Sequence, residues 1–75
     1  MITKEKLEGF IKIATGDKKS IMYACYTNKA KKRAAKIISD YGTKESIKIV
    51  ISNSNVGTVY GFEGGGSITL NALGA

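Results

Sequence analysis

A chain of 75 residues has room for one small domain and not two, and a domain this size buries only ~60–65% of the surface its unfolded form exposes. Hydrophobic residues make up 43% and charged residues 24%, which argues against disorder over most of the length. No apolar run approaches the ~20 residues of a membrane helix, one cysteine rules out an internal disulfide, and the lack of histidine leaves no zinc ligand set.

The N-terminus lacks the apolar core of a signal peptide. A reduced Cys25 in a cytoplasmic protein is therefore the expectation, with 1–75 as a single domain and no metal or cofactor. The net charge is +6, and eleven of the twelve basic residues are lysine. Arginine is the usual bidentate reader of guanine, so a lone Arg33 argues against elaborate base reading. Charge is also polarised. Seven basic and no acidic residues lie from Lys18 to Lys36, whereas Glu63 is the one charged side chain after Lys48.

The first element reads as a helix from Lys4 to Thr15. Thr3 is its N-cap, Ile2 and Leu7 stand at the positions of a hydrophobic staple, and Leu7, Phe10, Ile11 and Ala14 share one face. Gly16 is expected to end it as a left-handed C′ residue. Ser20 to Tyr26 is apolar, rich in β-formers and out of phase with the apolar stripe of the next segment, so it reads as a buried strand. The rival is one long helix from Lys18 to Tyr41. Asn28 to Tyr41 is the clearest helix, capped by Thr27 or Asn28 and ended by Gly42. Ala30, Ala34, Ile37, Ile38 and Tyr41 form its core stripe. Alternation from Ser46 to Ser52 puts Ile47, Ile49 and Ile51 on one face. Asn53-Ser54-Asn55 is a turn. Val56 to Phe62 and Ser67 to Leu73 are two more strands, joined by a flexible loop at Glu63-Gly64-Gly65-Gly66.

The order α-β-α-β-β-β indicates an α+β fold, two helices packed on a small, mostly antiparallel sheet. Strand 20–26, helix 28–41 and strand 46–52 suggest a parallel crossover unit. The last three strands suggest an antiparallel meander.

Lys29, Lys32, Arg33 and Lys36 recur at i, i+3, i+4 and i+7, so they project together from the second helix. Like charges one turn apart, and lysines in a first turn that favours acids, both oppose helix stability. Anion binding would explain why such a face persists, while a solvated face of a lysine-rich protein is the plain alternative. Thr27 and Asn28 at the helix start, and Lys18 and Lys19 before the strand, are further anion-contact candidates. The strand–turn–helix around Thr27, with its alanines, resembles the segment after the nucleotide site of helicase-like and packaging-motor ATPases, but it does not identify the chain with them. Lys19-Ser20 echoes the end of a P-loop, yet Lys18 and Ile13 stand where that motif needs glycine. No serine or cysteine nucleophile has a histidine base, and no carboxylates are paired, so no catalytic residue is assigned.

The meander lacks proline and, after Lys48, lysine, the usual guards of a strand edge. Val56, Thr58, Tyr60, Ser67 and Thr69 are therefore candidates for an edge that meets a partner or a second copy. The leading expectation is a small non-enzymatic protein that binds nucleic acid or another polyanion through helix 28–41 and forms a homo-oligomer. The alternative is a protein-interaction, inhibitor or assembly module that docks on an acidic protein surface or pairs through the meander. No membrane partner is expected.

Overall fold

The computed structural model describes residues 3–25 and 27–72. Helix α1 spans Lys4–Gly16. The Thr3 hydroxyl accepts the Lys6 amide at 3.2 Å, the capping bond expected of it. Ile2 of the expected staple, Tyr26 of the first strand and Leu73 of the last lie outside the described residues. Strand β1 spans Ser20–Cys25, helix α2 Asn28–Lys44, and strands β2, β3 and β4 span Ile49–Ser54, Gly57–Phe62 and Ser67–Ala72. Residues 20–25 are thus a strand, half-exposed where a buried one was expected, and the single long helix does not form.

Neither expected glycine is the left-handed residue at its helix end: α1 takes in Gly16 as its last residue, and α2 runs past Gly42. In α1 the left-handed residue is Lys18 (φ 55°), and the Lys19 amide reaches back to the Ala14 carbonyl. In α2 it is Ser46 (φ 56°), and the Ile47 amide reaches back to Gly42. Each is the six-to-one closure that satisfies orphan carbonyls at a helix end. Gly42 sits inside α2 for a different reason. A β-carbon there would meet Ile49 Cδ1 at 2.5 Å and the Ile47 carbonyl at 3.1 Å, so glycine lets the last turns lie directly on the start of β2. Nothing in the structure explains glycine at position 16.

The sheet order is β1-β4-β3-β2. The meander β2-β3-β4 is antiparallel, and β1 pairs parallel to β4, Ile21 opposite Ile68 and Tyr23 opposite Leu70. The expected crossover unit is corrected in one respect. β2 does run in the same direction as β1, but it lies at the far edge, with β4 and β3 between them. Burial explains the choice. Ile68 and Leu70 of β4 are wholly buried, whereas β2 is exposed over all but its first residue. The central strand β4 is the one that both helices cover.

Both helices lie on one face of the sheet, chiefly over β4 and β1. Leu7, Ile11 and Ala14 of α1 and Ala34, Ile38 and Tyr41 of α2 close on Cys25, Tyr60, Phe62, Ile68 and Leu70. The Phe10 and Tyr23 rings meet at 5.9 Å at the β1 side of this core. The glycine run after β3 is a defined turn. The Phe62 amide donates to the Gly66 carbonyl, and Gly64, Gly65 and Gly66 all have positive φ. A side chain at Gly66 would collide with the Ala14 carbonyl, so the turn closes against the end of α1.

The core stripe of α2 is rotated slightly from the one read in the sequence. Ile38 is fully buried, and Ile37 is half-buried at its margin. Ile38→Ala is expected to cost about 2–5 kcal/mol, while Ile37→Ala costs about 1 kcal/mol because part of its surface already faces water. Urea titrations of both variants check this, and a larger loss at Ile37 would mean that the helix is turned the other way.

Candidate polyanion-binding surface

Helix α2 presents three different sides. Ala34, Ile38 and Tyr41 face the sheet. Ala30 and Ile37 are half-buried on the next side. On the outer face Lys29, Lys32, Arg33 and Lys36 are all exposed, as their spacing requires, with Asp40 beyond them. The helix has no acidic residue in its first turn, so the cations there stand against the positive end of the helix dipole.

Thr27 holds this start in place. Its side chain accepts the Ala30 amide at 3.0 Å and its carbonyl accepts the Lys31 amide. The hydroxyl oxygen accepts in the cap and keeps its own proton to donate, and Asn28 beside it is exposed. Lys18 and Lys19 do not join the group. They precede β1, whereas α2 starts beyond its other end, and a six-residue strand spans ~17–20 Å. The Lys18 stem lies near Gly65 instead.

Sequence spacing missed Lys31. It falls between the outer face and the core stripe and is half-buried. Together with Asn28, Lys32, Ala35 and Tyr60 it lines a cleft of about 360 Å³ between α2 and the sheet. A second cleft, about 410 Å³, lies against Ser39, Gly42 and Thr43 of α2 and Ile47, Lys48 and Ile49. The helical residues of both recur at intervals of three and four, so the clefts run along one side of α2. That side adjoins β2, which the helices leave bare. None of the lining residues is acidic. The signal for Lys31 in the sequence was its place at the margin of the stripe, where a lysine buries its stem and keeps its charge in water.

Tyr60, which lines the cleft, and Cys25, which neighbours Tyr60 and Lys31, are both buried. Burial pushes the Cys25 thiol above its ordinary 9.0, an effect the Lys31 ammonium partly offsets. Burial, then the neighbouring Cys25, raises Tyr60 above its ordinary 10.0. Burial, then Glu45 and Glu8, does the same for Tyr41.

The opposite face of the sheet is different in kind. Register places Ser20, Met22 and Ala24 of β1, Ser67, Thr69 and Asn71 of β4, Val59 and Gly61 of β3, and Val50 and Ser52 of β2 on it, with no charged residue among them. The residues expected at an open edge are redistributed. Thr58, Tyr60, Ser67 and Thr69 lie on β3 and β4, the two central strands, so their backbones are paired on both sides. Tyr60 is also a core residue, while Val56 is exposed in the β2–β3 turn. The edges are β1 and β2.

Among the described residues no three potential metal ligands come together, and no helix is long and apolar enough to cross a membrane. No family model, curated protein or solved structure matches the chain.

The raised thiol and phenol values imply a pH effect. The folded chain holds protons that the unfolded chain releases above about pH 9, so stability falls with rising pH there. Below the unfolded values this contribution is fully present. Thermal melts from pH 7 to 11 are expected to be level to about pH 9 and then to decline. A melting temperature that rises through pH 10 would contradict the burial of these groups.

Proposed function

We propose that the chain is a non-enzymatic binding module for an extended polyanion, nucleic acid in the first instance, and that the outer face of α2 makes the contact. One observation carries this reading: Lys29, Lys32 and Lys36 stand exposed in succession along the helix, in a first half that contains no carboxylate. At 1.5 Å rise per residue they are spaced about 4.5 and 6 Å along the axis, a separation that suits successive phosphates. The contacts are lysine ammonium groups, which act as point charges, so binding depends on phosphate and not on base sequence. Lys31 adds charge at the border of the cleft. Such a role also accounts for a helix that carries like charges one turn apart at some cost to its own stability.

Retention of single-stranded and duplex oligonucleotides, measured across salt, tests the reading. Affinity is expected to fall linearly on a log–log plot, with about 0.9 of slope for each duplex phosphate neutralised. Replacing Lys29, Lys32 and Lys36 together with glutamine is expected to make the slope shallower by up to about 2.7 and to leave melting unchanged. Unchanged retention in the triple variant would remove α2 from the contact. Absence of retention by the parent at low salt would remove the function.

A further inference from the structure

β2 is the least protected element of the fold. Val50, 63% exposed, projects from the open face of the sheet, and Ile51, 59% exposed, from the helix-bearing face where no helix covers it. Val56 is exposed in the turn after the strand. The strand Ile49–Ser54 contains no charged residue and no proline. An unguarded edge with apolar side chains on both faces invites another strand.

The pairing to β3 determines which backbone groups remain available. The Glu63 amide donates to the Lys48 carbonyl at 2.9 Å, so residues 48 and 63 form a hydrogen-bonded pair. Such pairs alternate along an antiparallel ladder. Val50, Ser52 and Ser54 therefore direct their N–H and C=O groups to Gly61, Val59 and Gly57 of β3. Ile49, Ile51 and Asn53 direct theirs outward. This outward set is symmetric about Ile51.

We infer that β2 is the seam of a two-fold homodimer, in which β2 of one copy pairs antiparallel with β2 of a second copy, centred on Ile51. Ile51 then exchanges both backbone bonds with the partner's Ile51, and Ile49 exchanges them with the partner's Asn53. No outward group in 49–53 is left over. On the faces, Ile51 packs beside the partner's Ile51 and Val50 lies opposite the partner's Ser52. A second copy is the occupant because the edge is complementary to itself. It also brings no charge to the seam, although each chain carries +6. Pairing β2 to the other edge, β1, would be head-to-tail and would build a ring or an open array, whereas the two-fold contact closes with two copies. A five-residue ladder and its side chains bury on the order of 1,000 Å² in total, the low end for a specific interface, which suits a reversible dimer.

The second copy also completes a site. Residues directly opposite in an antiparallel pair share a face, so both α2 helices lie on the same side of the eight-stranded sheet. α2 lies mainly over β4. Five strand spacings of about 4.8 Å set β4 about 24 Å from its counterpart. The clefts beside the two helices then open into one trough, floored by β3 and β2 of each copy and walled by Asn28, Lys31 and Lys32 of each α2. The assignment of a polyanion to that trough rests on the function proposed above; the dimer itself does not.

Sedimentation equilibrium without nucleic acid, from micromolar to several hundred micromolar, tests the dimer. The parent is expected to rise from its 8.0 kDa monomer mass toward twice that value. Ile51→Lys places a charge on the seam, and Ile51→Pro removes an outward N–H that β3 does not use. Both variants are expected to stay monomeric. Val50→Cys combined with Ser52→Cys reports independently of those variants' folding, because it brings thiols of the two copies opposite one another. Oxidation is expected to yield a covalent dimer, since Cys25 is buried. A parent that remains monomeric throughout, a dimer that persists in both Ile51 variants, or failure of the double variant to cross-link would each overturn the seam. A dimer that forms but retains no oligonucleotide would leave the seam intact and refute the polyanion reading alone.

Discussion

The structure depends on the complete burial of the helix-bearing face of β4 at Ile68 and Leu70. Ile68 and Leu70 are sealed from water, and each is held from three directions: β1 on one side, β3 on the other, and the two helices above. With both helices placed over β4 and β1, β2 is left at the margin. Gly42 allows the last turns of α2 to touch Ile49, but beyond that point the helix parts from the strand and a cleft opens.

This asymmetry sorts the surface. Every lysine of α2 lies on its outer side or at its border with the cleft, and the strands of the other sheet face carry no charge, with Lys48 and Glu63 beside Val50 and Gly61 at one end. The molecule therefore has a strongly basic layer and a nearly neutral one, which meet along the exposed edge of β2. A chain with no internal disulfide and a small core has reason to gain buried area from a neighbour. It can do so along the neutral edge without bringing its basic helices into contact.

Local features were legible in the sequence and non-local ones were not. Thr3 caps α1 as expected, and of the two candidates Thr27 and Asn28 it is Thr27 that caps α2, because side-chain hydroxyl, helix start and apolar periodicity are all set within a few residues. The meander was legible too, since neighbouring strands joined by short turns pair antiparallel. The parallel pairing of β1 with β4 joins segments 47 residues apart in sequence, and periodicity within each strand carries no information about that partner. Gly16 and Gly42 suggested helix ends because glycine is favoured there. The actual left-handed residues are Lys18 and Ser46, and Gly42 serves a packing contact with a strand that is distant in the helix's own pattern. The basic face of α2 was fully legible, but Lys31 required knowledge of which side of the helix the sheet leaves uncovered.

The claim on which the rest turns is that β2 is bonded on its inner side alone. Residue-resolved amide hydrogen exchange along the strand, in dilute and in concentrated protein, addresses it directly. The account predicts that Val50 and Ser52 are protected at both concentrations. Ile51 and Asn53 should exchange freely when dilute and become protected on concentration, as the second copy takes up their outward groups. Protection of Ile51 in dilute protein, with Val50 and Ser52 exchanging freely, would reverse the register and contradict the account.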